Sequence, residues 1–272
     1  MIIQNDEAIE YFDNRSNEWN NIYKDFNNND SLINRREALF EAINNLDVNR
    51  PLDLVIDLGC GTGPYLNGLI KIANKVIGFD SSPNMIKQAK LNNNSLNKLD
   101  FIVGNVKKLP LPDKHIDLCI GTGLLEYFDD TEKVMSEVYR VLKPGGHAIF
   151  SFPHKYSISR ITGLPRTLPL FFPVKFKIYI IKIINYIMNS GKNVSDYYLG
   201  RGFSKNQIKI IANKSKFIIS DISCSGYKPI RIFGFNVSQS KFEKTIYKMQ
   251  KNRLKSPWKF FGNDLIVTFK KI

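Results

Sequence analysis

The stretch Val55-Ile-Asp-Leu-Gly-Cys-Gly-Thr-Gly63 sets three glycines at alternate positions directly after an apolar run. Glycine permits positive φ and carries no Cβ, so such a turn lets a ligand touch the backbone. A helix start behind it would add free N–H groups. Asp80 closes the next apolar run, 17 residues beyond Gly63. A carboxylate there can accept from both hydroxyls of a ribose. The spacing is G-x-G-x-G with Pro64 next, which fits the dinucleotide fingerprint G-x-G-x-x-G poorly. The phosphate loop G-x-x-x-x-G-K-[ST] is absent. A glycine turn and a ribose reader without a phosphate signature point to an adenosine ligand lacking pyrophosphate.

These residues need a scaffold of alternating strands and helices. Leu52–Leu58 is a short apolar run, as in a strand buried on both faces. Pro64–Ala73 reads as helix with proline in its first turn, and 75–80 as a second strand. Ser82 caps a helix over 83–91. Strands follow at 99–103 and 116–121, then a helix from Asp130 or Thr131 to Leu142 that Lys143-Pro-Gly-Gly146 stops. His147–Phe152 is a fifth strand; after a break, a helix capped by Ser204 precedes strands at 217–223 and 264–270. Repeated βα units of this length predict an α/β fold: a seven-stranded, mostly parallel, Rossmann-like sheet with helices on both faces. Residues 1–46 read as an N-terminal helical lid, with Ile9, Phe12, Trp19, Ile22 and Tyr23 at roughly helical spacing. Residues 47–272 form the main domain, with a helical insertion at 153–200 after the fifth strand that caps the acceptor site.

The segments VIDLGCGTG, VIGFDSSPNMIKQAK, GNVKKLPLPDKHIDLCIGTGLLEYFDD and EVYRVLKPGGHAIFSFP, in this order, resemble class I S-adenosylmethionine-dependent methyltransferases over about residues 50–153. The likeness resumes more loosely near residues 198–222. The lid segment is similar to that of methyltransferases acting on quinone or tetrapyrrole precursors. The resemblance implies S-adenosyl-L-methionine as cofactor and S-adenosyl-L-homocysteine as product. It places Gly59, Gly61 and Gly63 beside the methionine part, and Asp57 near its amino group. Asp80 would hold the ribose, with Ser81 and Met85 flanking the adenine. Asn105 and Val106 stand where the family has an acid and an apolar residue against the adenine. Gly121 and Leu124 bring backbone toward the methionine portion, and Tyr11, Trp19, Tyr23 and Arg35 or Arg36 would close over the cofactor. Plainer roles remain open: Asp57 as a turn cap, Asn105 as a turn residue, Glu126 and Tyr127 as packing at the core edge.

A hydroxyl acceptor needs a base. His154 and Tyr156 are the residues expected to serve, with Asp196 and Tyr198 as alternatives; histidine is favoured because its ordinary pKa is about 6.5. Charge is uneven. Residues 1–150 carry 16 Lys and Arg against 21 Asp and Glu, whereas residues 151–272 carry 23 against 4. The basic half suits an anionic partner. The basic stretch 174–188, with Ile180, Ile183, Ile184 and Ile187 sharing a helical face, suits a lid or an anionic membrane. The expected acceptor is small or amphiphilic: a lipid-like, isoprenoid or saccharide hydroxyl. RNA is the weaker expectation because no base-amine motif of the NPPY type follows the fourth strand, and a non-catalytic cofactor-binding role is weaker because the cofactor motifs are intact.

Other chemistries find little support. Cys60, Cys119 and Cys224 form no C-x-x-C pair, and His115, His147 and His154 are scattered, so no metal is expected. No run of eighteen uncharged apolar residues occurs, and the first ten residues do not read as a secretion signal. The expectation is a cytoplasmic protein, peripheral at the inner membrane face where it touches lipid.

Overall fold

The structure is a computed structural model that describes residues 5–24, 30–94, 97–157, 201–226, 231–232, 235–236 and 262–272. Most of the 153–200 segment, including Asp196, Tyr198 and the basic stretch 174–188, lies outside the described residues.

Three helices open the chain: α1 (Asn5–Asn14), α2 (Ser16–Lys24) and α3 (Asp30–Asn44). The apolar periodicity of the first segment is thus split by a break at Arg15. Alternating elements follow: β1 (Leu52–Leu58), α4 (Leu66–Leu69), β2 (Ala73–Asp80), α5 (Pro83–Asn92), β3 (Leu99–Val103) and β4 (Ile116–Gly121). A 3-10 turn (Leu125–Tyr127) leads to α6 (Thr131–Val141) and β5 (Leu142–Pro153). Then come α7 (Lys205–Lys214), β6 (Phe217–Ser225) and β7 (Asp264–Lys271). A two-residue antiparallel pair, Arg231–Ile232 with Phe235–Asn236, lies apart from the main sheet.

The sheet has seven strands in the order β3-β2-β1-β4-β5-β7-β6. The first five lie parallel, and β7 runs antiparallel to both β5 and β6. The chain runs outward from β1 through β2 to β3, then crosses to β4 on the other side of β1. That reversal opens a crevice beyond the carboxyl ends of β1 and β4, the usual ligand site in such sheets.

Period-2 alternation divides the core. Ile56, Leu58, Ile77, Phe79, Phe150 and Phe269 face α6 and α7 on one side. Val55, Val76, Leu118, Ile120 and Ile149 meet Leu39 and Ile43 of α3 and Leu66 and Leu69 of α4 on the other. α3 therefore belongs to the main core, while α1 and α2 dock on α5. The capping residues act as their types suggest. Ser82 Oγ accepts from Met85 N with Pro83 in the first turn, Asp130 accepts from Lys133 N, and Ser204 with Gln207 forms a capping box.

Two local expectations differ from the structure. The helix expected over 64–73 shrinks to the single turn Leu66–Leu69, and β2 already begins at Ala73. Lys143-Pro-Gly-Gly146 does not follow a helix end as a separate stop. α6 ends at Val141, and the four residues lie within β5 as an irregularity between the pairs Ile116–Leu142 and Leu118–His147.

Candidate cofactor and acceptor pocket

The crevice holds a cavity of about 450 Å³. Its floor is the glycine turn and the end of β2: Gly59, Gly61, Asp80, Ser81 and Met85. Asn105 and Val106 follow β3, and Thr122, Gly123, Leu124, Glu126, Tyr127 and Phe128 follow β4. The roof is Ala8, Ile9 and Phe12 of α1, Trp19, Ile22 and Tyr23 of α2, and Leu32 and Arg35 of α3.

Asp80 ties the floor together. Its Oδ2 accepts from Gly61 N at 2.8 Å and its Oδ1 from Ser82 N at 2.9 Å. Burial pushes its carboxyl up, while the backbone N–H groups of Ser82, Gly61 and Ser81 pull it back down. Each oxygen keeps a further lone pair, so the acid can still accept from a diol.

Gly61 has φ +54°, and a Cβ built on it would meet nothing within 4 Å. Space for a ligand therefore adjoins the turn itself. Gly63 does not line the cavity. Its φ is +81°, and a Cβ there would stand 2.7 Å from Asn93 Nδ2 and 2.9 Å from Leu66 Cδ1. Gly121 is likewise a packing position, tight against the Phe150 ring, and the cavity begins one residue later at Thr122.

Asp57 lies behind the cavity lining and is 1% exposed. Among the described residues neither carboxylate oxygen has a hydrogen-bond partner. Burial, then the nearby Asp80, pushes its pKa well above the ordinary carboxylate value. An orphaned buried acid beside a turn open to ligand fits a cationic amino group. Asn105 lines the rim, but its Oδ1 already accepts from Lys107 N at 2.9 Å, so it builds a turn as well as any ligand contact.

The roof is aromatic. The Phe12 ring meets Tyr127 at 5.1 Å and Trp19 at 5.8 Å, and Trp19 meets Tyr23 at 6.0 Å. Burial pushes the Tyr23 and Tyr127 phenols up, so both stay neutral at physiological pH. Of the other lid residues named from the sequence, Tyr11 and Arg36 do not line the cavity.

His154 and Tyr156 are placed elsewhere. His154 is 5% exposed, its Nδ1 is 3.2 Å from Gly262 O, and its N donates to Asn263 O at 2.7 Å. Tyr156 is half exposed, and neither residue lines the cavity. Their region is a stem instead. Lys155 N donates to Phe203 O and Phe203 N to Pro153 O, so the chain leaves and returns at one point. Arg201, on the returning side, donates from N to Glu126 O at 3.4 Å and from Nη1 to Asp129 O at 3.3 Å. The stem thus touches the turn that forms the cavity wall. Residues missed from the sequence are chiefly Thr122, Gly123 and Phe128; their signal was position after β4, not residue type. Among the described residues no group of three or more His, Cys, Asp or Glu could hold a metal, and no helix is long and apolar enough to cross a membrane.

A family profile described as "Methyltransferase domain" matches residues 56–150, the span that supplies the floor and the β4 wall. An uncharacterized protein of Methanocaldococcus jannaschii is 29% identical over 240 residues, covering 88% of this chain and 83% of that one. Malonyl-[acyl-carrier protein] O-methyltransferase of Yersinia pestis is 32% identical over 98 residues, 36% of each chain. This chain thus spans about a third of the length of some curated relatives it matches. Magnesium protoporphyrin IX methyltransferase from Synechocystis PCC 6803, solved with bound SAH, superposes with TM-score 0.60 at 17% identity, covering 97% of this chain and 98% of that one, a likeness of fold. With its glycine turn, the acid at the end of β2 and this sheet order, the span 56–150 is a methyltransferase domain, set in a Rossmann-like sheet whose fold is shared with solved S-adenosylmethionine-dependent methyltransferases.

Proposed function

We propose that this chain transfers a methyl group from S-adenosylmethionine to a small or amphiphilic acceptor, at a hydroxyl oxygen of a lipid-like, isoprenoid or saccharide compound. The carrying observation is Asp80, whose two oxygens bind the glycine turn and the α5 N-terminus while facing the cavity. Asp80 would hold the ribose, Met85 and Val106 the adenine, and Asp57 the amino group. When bound, the cofactor supplies a methyl already activated on a sulfonium. The aromatic roof excludes water and holds the acceptor in line, about 3–3.5 Å from the carbon it attacks. Glu126, a buried acid on the cavity wall, is the residue proposed to take the proton of a hydroxyl acceptor.

The acceptor side is supported by where two long segments emerge. Residues 158–200 leave from the stem after β5, and residues 227–261 depart after Gly226 and return at Asn263, whose N donates to Gly226 O. Both therefore start and end at the sheet edge that carries the cavity. The basic stretch at 174–188 supports a peripheral contact with anionic lipid in the same reading. Vesicles rich in phosphatidylglycerol should co-sediment the protein at low salt.

Titration calorimetry with S-adenosylhomocysteine tests the central claim. The wild type should release heat, and Asp80→Ala should weaken binding by about 1–3 kcal/mol, the value of lost charged hydrogen bonds. Unchanged affinity in that variant would sink the pose. Label transfer from methyl-labelled cofactor into cell extracts, followed by partition into organic solvent, should place the acceptor in the lipid fraction.

A further inference from the structure

We infer that the acceptor carries an anionic group, a carboxylate or a phosphate, that docks on Lys107 and Arg201 at the rim of the cavity; this rests on the function proposed above. Lys107 sits in the turn after β3, where its N donates to Asn105 Oδ1 at 2.9 Å. Its Nζ stands 5.4 Å from the centre of the Phe128 ring. Arg201 arrives on the returning side of the stem. Its Nη1 donates to Asp129 O at 3.3 Å, and its guanidinium carbon lies 5.3 Å from the centre of the Phe203 ring. Phe128 lines the cavity, and so do Asn105 and Val106 just before Lys107. Both cations therefore reach the Phe128-Asp129 pair, where the wall that follows β4 ends.

The surroundings leave these two charges available. Both side chains are half-buried, each with an aromatic ring beneath its charged head. Such a head is held at the boundary between apolar wall and water. Among the described residues neither cation forms an ion pair. The neighbouring acids are engaged or screened. Asp130 Oδ1 accepts from Lys133 N, Glu132 pairs with Lys214 at 2.8 Å, and Asp129 is exposed to water.

The interior offers an anion nothing comparable. Arg35 donates from Nε and Nη2 to Asp264 Oδ2, and the other charged side chains lining the cavity, Asp80 and Glu126, are acids. The roof of Phe12, Trp19 and Tyr127 is aromatic. The acceptor's negative charge thus belongs at the rim and its apolar body under the roof. This polarity fixes which way the acceptor enters.

The probes are decanoate, decyl phosphate and decanol, titrated by calorimetry into the full chain saturated with S-adenosylhomocysteine. The wild type should bind the two anions at least about fivefold more tightly than decanol, as expected of two half-buried ion pairs. The preference should shrink at high salt. Whichever anion leads assigns the group as carboxylate or phosphate. Lys107→Gln/Arg201→Gln should erase the preference while leaving decanol binding within about twofold of the wild type. Lys107→Arg/Arg201→Lys, which keeps both charges, should retain it. A wild type that binds all three probes equally, or none of them, overturns the inference and leaves the cofactor reading standing. A preference that survives in the Gln variant overturns it as well, because another cation then reads the charge. Parallel weakening of all three probes in the Gln variant marks the two residues as structural and also overturns it. A wild type that fails to bind S-adenosylhomocysteine defeats the proposed function itself, and this inference with it.

Discussion

Asp57 sets ligand recognition against stability within one side chain. Its carboxylate is buried with no partner for either oxygen among the described residues, and an uncompensated buried charge destabilises a fold. Asp57→Asn should therefore raise the stability of the ligand-free protein by about 1–3 kcal/mol at neutral pH and weaken S-adenosylhomocysteine binding. The pH dependence follows from the direction of the shift. The folded pKa is raised above the ordinary value of 3.8, so the folded state holds the proton longer than the unfolded state. Stability from this group is present below the ordinary value and is lost as pH rises through the raised one. Thermal unfolding across pH should show that decline in the wild type and not in Asp57→Asn. A variant less stable than the wild type at neutral pH would mean that Asp57 has a structural partner.

At the scale of elements, α1 and α2 are tied to α5 by polar side chains, beside the aromatic contacts that Phe12 makes in the roof. Asp13 of α1 accepts from Ser82 Oγ at 2.5 Å, from Asn84 N at 2.9 Å and from Asn84 Nδ2 at 2.8 Å. On α2, Asn17 accepts from Gln88, and Asn20 exchanges hydrogen bonds with Gln88 and Asn92. All four partners lie on α5 or its cap, and Ser82 also donates its N–H to Asp80. The roof is thereby connected to the acid that faces the ligand. The bonds at Asn84 and Asn17 are exposed and contribute little net stability each, so that part of the roof can part at low cost. Asp13→Ala should speed hydrogen exchange in residues 5–24 and raise the dissociation rate of S-adenosylhomocysteine several-fold, with little change in the melting temperature. Stopped-flow fluorescence of Trp19 would follow the rate. Unchanged exchange in α1 and α2 would show that the apolar contacts of Phe12 and Trp19 hold the roof instead.

At the scale of the molecule, the sheet carries a titrating group far from the cavity. His147 on β5 pairs in register with Lys270 on β7 and is 6% exposed. Burial, then Lys270, lowers its pKa below the ordinary 6.5. The unfolded chain therefore binds a proton at a higher pH than the folded one. Stability is full above about 6.5 and falls as pH drops from there to the lowered folded value. His147→Gln should flatten this acid limb in denaturant titrations while leaving ligand affinity at neutral pH unchanged. An equally steep limb in the variant would assign the acid sensitivity to other groups. Because β5 and β7 join the parallel half of the sheet to β6, this loss should be global and cooperative rather than local.

The amino-acid sequence alone determined the features whose physics is local. A glycine turn after β1, an acid at the end of β2, caps at Ser82, Asp130 and Ser204, and period-2 strands each depend on a few neighbouring residues. Those were legible, and with them the floor of the pocket. The tertiary structure decided what meets across long separations. It set Arg35 against Asp264, laid Phe12 on Tyr127, and assigned Gly63 and Gly121 to packing while Gly61 faces open space. It also put His154 into the stem, away from the cavity that its chemistry had suggested. The physical reason is that strand order and the docked face of each helix are settled by the packing of the whole core, whereas spacing along the chain records only what a turn, a cap or one strand requires.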